Sequence, residues 1–292
     1  MAGWVLGVIG GSGLYRIDGL EGGRWERIDS PWGAPSDEVY RSAVGPVELV
    51  FLPRHGRSHQ LGPTQLNYRA NIDVLKRAGC TDLLSLSACG SLKEAYAPGD
   101  FVIVDQFIDR TFAREKSFFG EGVVAHVSMA HPVSQRLADL AAGEADGLGV
   151  RVHRGGTYLA MEGPQFSSLA ESNLYRSWGC DVIGMTNMPE AKLAREAELP
   201  YACVAMVTDY DCWHEEVEAV SVTEVQKVLH VNAGNAAQLV LRLAQRLGGM
   251  DRTPDPQGID TCLDFAIITP EEARDPALVA KLDAVAGRVL RG

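Results

Sequence analysis

Short apolar runs, dense in Val, Leu and Ile, alternate along this chain with segments of helical periodicity, and each run ends in glycine or polar residues. They begin at Trp4 (WVLGVIG), Val47 (VELVFLPR), Asp82 (DLLSLSACG), Phe101 (FVIVDQFI), Cys180 (CDVIGMT) and Tyr201 (YACVAMVTD). Such runs are too short to cross a bilayer and too continuous for an amphipathic helix, so they read as buried strands. Between Pro63 and Gly79, Leu66, Ala70, Ile72 and Leu75 fall mainly on one helical face, and Gly79 marks the stop. Further helices are expected over 132–147, 168–178, 189–198 and 221–247, with Ser168 and Glu171 at capping-box spacing. The alternation predicts an α/β fold, a single domain around a mixed sheet. Residues 1–249 form its body. Residues 250–292 begin with the linker-like MDRTPDPQG and continue as a helical tail, expected to pack on the same domain or on a neighbouring subunit.

Charge and cysteine usage exclude several partner classes. The 292 residues carry 27 Lys and Arg against 38 Asp and Glu, a net charge of −11, with no basic stripe. Nucleic acid and anionic membrane are therefore excluded as partners, although a few local Arg and His residues can still hold a small anion. The N-terminal MAGWVLGVIGG lacks the basic region of a secretory signal. Cysteines at 80, 89, 180, 203, 212 and 262 form no CxxC pair. They read as free thiols of a cytoplasmic protein, and a catalytic thiol at Cys89 or Cys212 is the less economical alternative.

In open α/β sheets ligands collect beyond the carboxyl ends of the strands, and here those ends are polar. The first run leads into Gly10, Gly11, Ser12 and Gly13, whose backbone N–H groups suit an oxyanion. Neither a dinucleotide fingerprint nor a Walker P-loop can be laid on these glycines. The second run ends in Arg54, His55, Gly56, Arg57, Ser58 and His59. The spacing of His55 and His59 would suit a metal only on a helix, which Gly56 and the preceding strand oppose. Arg54 as a bidentate fork and His55 as a further donor fit an anion better. The third run ends in Ser87, Ala88, Cys89, Gly90 and Ser91, adding hydroxyls, so the three ends together predict one phosphate-sized site. Phe166, in a turn before a helix, can stack on a flat base or merely staple the helix start. Asp209 and Asp211 face the same way if the backbone stays extended, and could accept from an exocyclic amine and protonate a leaving nitrogen. The plain alternative is a solvated Asx turn.

Taken together, GVIGGSGLY, RHGRSH, NYRANI, SACGSL, PGDFVIVDQFIDRT, EGPQFSS, GMTNMPEA and VTDYDCW resemble the 5′-methylthioadenosine phosphorylase branch of the trimeric purine nucleoside phosphorylases. The resemblance runs from about Val5 to Gly248, with a weaker match at Leu263–Thr269. It implies a twisted mixed sheet flanked by helices, a homotrimer and active sites near subunit boundaries. It implies phosphate held by Ser12, Arg54, His55, Ser87, the Ala88 backbone and Thr186. It places Met185 by the ribose, Phe166 and Ser167 along the base, and Asp209 and Asp211 on the purine. Val222 and Val225 would line the 5′ pocket, with Ile268 from the tail and His126 from a neighbouring subunit. Serine stands at 12 and 87 where threonine is common, and Gln226 where leucine is common.

The activity so implied is phosphorolysis of methylthioadenosine to adenine and 5-methylthioribose 1-phosphate, within purine and methionine salvage. Inorganic phosphate is a co-substrate, and no metal or organic cofactor is expected. Asp209 is expected to protonate N7 of the leaving base, while bound phosphate stabilises the cationic sugar and attacks it. A water-using nucleosidase would have no use for the phosphate set. A 6-oxopurine or methylthioinosine phosphorylase would favour an amide at 209. A purine-nucleoside-binding protein without turnover is the reading from another class.

Overall fold

A computed structural model describes residues 3–11, 20, 22–214 and 222–291, with side chains throughout except at 222–225. Its strands are β1 (Val5–Gly10), β2 (Arg24–Glu26), β3 (Val39–Val44), β4 (Val47–Pro53), β5 (Asp82–Ser91), β6 (Phe101–Val104), β7 (Gln106–Arg110), β8 (Val152–Arg154), β9 (Thr157–Met161), β10 (Val182–Gly184) and β11 (Tyr201–Asp209). The helices are α1 (Tyr68–Arg77), α2 (Gln135–Asp146), α3 (Leu169–Ser177), α4 (Asn187–Glu196), α5 (Val222–Gly248), α6 (Pro276–Lys281) and α7 (Gly287–Leu290).

Strand side chains alternate between two faces, and the cores follow that period. Along β11, Tyr201, Cys203, Ala205 and Val207 join the core beside α1 and α4. Ala202, Val204 and Met206 join the core beneath α2 and α5. A strand buried on both faces needs no polar alternation, which is why these runs read as continuously apolar. Each large side chain so buried contributes roughly 1.5–3 kcal/mol before entropy is counted. The single mixed sheet runs β2-β3-β4-β1-β5-β10-β9-β7, and β11 also pairs with β5, then β6 with β11 and β8 with β6.

Helix ends obey local chemistry. The Asn67 side chain accepts from the Ala70 N–H, and Ser134 caps α2 by accepting from Leu137. Ser168 and Glu171 form the expected capping box on α3. The helix expected from Pro63 starts later, at Tyr68, after a 3-10 turn over Pro63–Gln65. FVIVDQFI is two strands, because the backbone of Asp105 and Gln106 turns onto the Gly156 carbonyl and changes partner. The strands β2, β3 and β8 were hidden by partly exposed, polar sequences such as VYRSAV.

The tail packs on the body of its own chain. Leu282, Val285 and Ala286 are buried in the α1/α4 core, and Arg252 donates to Asp82 at 2.8 Å. Among the described residues no helix is long and apolar enough to cross a membrane.

Candidate active site

The site exists because β5 changes neighbours partway along one edge. Residues Asp82–Leu86 pair in parallel with β1, and Gly90 and Ser91 pair antiparallel with β10. Over Ser87, Ala88 and Cys89 that edge carries no strand among the described residues. A cavity of about 400 Å³ opens there, bounded by the ends of β1, β4, β10 and β11. It brings together Arg54, His55, Ser87, Ala88, Phe166, Met185, Thr186, Asp209 and Asp211.

At one end the groups suit an oxyanion. The Ser87 and Thr186 hydroxyls approach to 3.4 Å, and the buried Tyr158 hydroxyl sits 3.2 Å from Ser87. Arg54, with a fully buried side chain, lines the same end, but its fork is not open as the sequence reading supposed. Nε and Nη2 donate to the two oxygens of Glu190 at 2.8 and 3.1 Å, and Nη1 donates to the Leu86 carbonyl at 3.1 Å. Burial alone would lower this guanidinium's pKa, yet the Glu190 charge and hydrogen bonds hold it above its ordinary value. A Cβ at Gly11 would come within 2.9 Å of Nη1, so glycine there leaves room for the guanidinium.

His55 also differs from its expected role as a donor. Its Nδ1 lies 2.8 Å from the Leu61 carbonyl, an acceptor, so Nδ1 carries the proton. Burial first, and then the Arg54 charge, push the imidazole down to about 4. The ring is therefore neutral at ordinary pH, and Nε2 offers a lone pair. A hydroxyl-bearing oxyanion such as hydrogen phosphate can donate to it.

At the other end, Asp209 terminates β11 and bends back. Its Oδ1 accepts from the Asp211 N–H at 2.8 Å, and its Oδ2 accepts from the Thr208 hydroxyl at 2.6 Å. Asp211 takes a left-handed backbone, φ 53°. The two carboxyls share the cavity through this Asx turn, not through the extended alternation expected from sequence. Burial raises both above the usual carboxylate range. Cys89 and Cys212 are likewise pushed up by burial, which opposes a thiolate nucleophile at either position.

The other expected residues divide between the cavity and other places. Phe166 lines the cavity while 60% exposed. Ser167 stays behind Met161, its hydroxyl 3.5 Å from the sulfur and its carbonyl accepting from Cys212. His126 and Ile268 lie outside this chain's cavity, on paired surface segments where His126 N donates to Ala266 and Ile268 N to Val124. Ser12 and the side chains of Val222 and Val225 lie outside the described residues. Leu229 of α5 and Pro63 line the cavity without having been singled out. Glu190 was also missed. Its one sequence signal is a carboxylate within a helix that is otherwise buried along its length.

The chain matches the phosphorylase superfamily over residues 5–245. It is 62% identical over 288 residues to the S-methyl-5′-thioadenosine phosphorylase of Cereibacter sphaeroides, covering 99% of each chain. It is 50% identical to the enzyme of that name from Geobacter sulfurreducens, covering 97% of this chain and 98% of that one. Among solved structures, a methylthioadenosine phosphorylase from an antarctic soil metagenomic library superposes with a TM-score of 0.90 at 43% identity, covering 97% of this chain and 99% of that chain. The methylthioadenosine phosphorylase of Schistosoma mansoni in complex with adenine superposes with a TM-score of 0.84 at 34% identity, covering 93% and 99%.

Proposed function

This chain belongs to the phosphorylase superfamily, and we propose on that footing that it cleaves S-methyl-5′-thioadenosine with inorganic phosphate, yielding adenine and 5-methylthioribose 1-phosphate. The observation that carries this reading is one cavity with an oxyanion end at Arg54, Ser87 and Thr186 and a carboxyl end at Asp209 and Asp211. Such a cavity fits two reactants at once, a phosphate and a purine nucleoside.

Phosphate lies against Nη1 of Arg54, the Ser87 and Thr186 hydroxyls, the Ala88 backbone and Ser12, and its hydroxyl donates a hydrogen bond to Nε2 of His55. Held there, it stabilises positive charge on the ribose ring and attacks the anomeric carbon as the glycosidic bond breaks. Asp209, raised by burial, supplies a proton to N7 of the departing adenine, and Asp211 accepts from the 6-amino group. Met185 meets the ribose, and Phe166 with Ser167 borders the base. The chemistry needs no metal or organic cofactor.

The same reading makes the enzyme a cytoplasmic homotrimer. His126 and Ile268 of one subunit complete the 5′ pocket of the next, beside Val222 and Val225. Phe265 is 99% exposed and Ile268 63%, and an apolar patch of this kind supports coverage by another copy.

Comparing cleavage of methylthioadenosine, adenosine and methylthioinosine at saturating phosphate tests the reading. Methylthioadenosine should be preferred. Preference for methylthioinosine would make the enzyme a 6-oxopurine phosphorylase, and binding without turnover would make it a nucleoside-binding protein.

A further inference from the structure

Beneath the cavity lies a buried polar network that the reaction does not itself use. Glu190, 2% exposed, takes both remaining sides of the Arg54 fork, and its Oε1 also accepts from Ser85 Oγ and Tyr201 OH, each at 2.8 Å. Ser85 Oγ in turn accepts from Arg54 Nη2 at 2.6 Å. The Asn187 amide donates to Ser85 at 3.0 Å and to Tyr201 at 2.7 Å, which fixes both hydroxyls. With Nε, both N–H groups of Nη2 and one of Nη1 committed, a single N–H of Arg54, on Nη1, has no acceptor among the described residues, and Arg54 lines the cavity. Its charge is cancelled by a carboxylate on the side away from the ligand. The other groups around the pair, Tyr158, Tyr201 and Cys203, are held neutral by burial.

We propose that Glu190 is a positioning residue of the phosphate site, which aims the one free N–H of Arg54 and holds the net charge of the pair at zero. The proposal rests on the reading of this end of the cavity as the phosphate site. A dianion beside a neutral pair is bound by directed hydrogen bonds. Beside an unpaired guanidinium it would be held more tightly before, during and after reaction alike. Uniform tightening lowers KM without speeding the chemical step, and it slows release of the sugar phosphate. Neutralisation by Glu190 therefore keeps phosphate and product exchangeable.

The test is Glu190→Gln, which keeps the size of the side chain and removes its charge. The phosphate dependence of the wild type is measured first, in the same assay. If the wild type shows none, it is the functional reading that fails. In the folded Gln variant the phosphate KM should fall about fivefold or more, because a negative charge near the dianion has gone. Its kcat should fall as well, and sulfate should inhibit more strongly. Glu190→Asp, which retains the charge, should return KM toward the wild-type value. An unchanged or raised phosphate KM in the Gln variant, with kcat lowered alone, would reduce Glu190 to a structural residue. Should that variant not fold, the double variant Arg54→Gln/Glu190→Gln decides, since it strands no buried charge. Losing one hydrogen bond should raise its phosphate KM roughly tenfold. A loss of a thousandfold or more would mean that the net charge of Arg54 carries the binding.

Discussion

Arg54 is a core residue that the proposal also sets against phosphate, and the two roles should fail together when it is removed. Arg54→Ala takes away the cavity's guanidinium N–H and strands Glu190 without a cation. Phosphate affinity should fall by about one to two orders of magnitude, from the lost charge-assisted contact. Stability should fall by about 3–5 kcal/mol, because breaking one side of a buried pair leaves the other uncompensated. Phosphate-dependent initial rates and urea unfolding measure the two separately, and an unchanged phosphate KM would remove Arg54 from the site. Asp209 works in the opposite sense, since burial raises its carboxyl pKa, as the proposed acid requires. Its carboxyl pKa is raised, so the protonated form is lost as pH climbs through that raised value, and kcat/KM should decline on the alkaline side. Asp209→Asn should abolish that decline, lose most activity on methylthioadenosine and shift relative preference toward 6-oxopurine nucleosides. An amide there cannot protonate N7, yet its N–H can donate to a 6-oxo group, and an unpaired buried group is costly. A variant with the wild-type pH profile and base preference would show that another group reads the base. Much of this was legible in sequence, since Arg54, His55, Thr186, Asp209 and Asp211 sit at or just beyond strand ends, although Ser87, expected at one too, lies within β5 on the stretch left bare between β1 and β10. What was not legible was protonation and pairing. The Leu61 carbonyl that fixes the His55 tautomer is reached only through the local path of the loop, and the carboxylate that occupies Arg54 comes from Glu190, 136 residues away.

The element that creates the cavity is β5, and its departure from regular pairing is what sequence patterning could not reveal. DLLSLSACG reads as one strand, and it is one. The loss of β1 after Leu86 and the arrival of β10 at Gly90 depend on partners far apart in the chain. Strands buried on both faces announce themselves by apolar content, whereas β2 at the sheet edge and its neighbour β3 do not. The α3 capping box was readable because every group in it lies within one turn. Gly90 ties this strand to the Asp209–Asp211 turn. A Cβ there would meet Asp209 Oδ1 at 3.0 Å, Ile183 at 3.2 Å and Asp211 Cβ at 3.4 Å. Gly90→Ala should displace the Asp209 carboxyl by a few tenths of an ångström and cut kcat/KM for the nucleoside roughly tenfold, through lost orientation. The phosphate KM should stay near wild type, since the oxyanion end lies on the other side of Ser87. Equal losses in both parameters would mean that the two ends of the cavity are not separable.

At the scale of the whole molecule, the residues proposed for the 5′ pocket lie either outside the described residues or on another face. His126 and Ile268 face outward together, held in register by main-chain bonds to Ala266 and Val124. Replacing the exposed Phe265 by Glu should weaken assembly, and light scattering should then show a smaller species with a raised KM for methylthioadenosine. A wild-type monomer with full activity would overturn both the trimer and the shared pocket. The claim on which everything else depends is that phosphate, not water, is the nucleophile. It is tested most directly by following adenine release and 31P resonances together, with methylthioadenosine as substrate and phosphate present or withheld. Adenine should appear only when phosphate is present, with one sugar 1-phosphate formed for each base released. Adenine released at the same rate without phosphate, alongside free methylthioribose, would contradict the account.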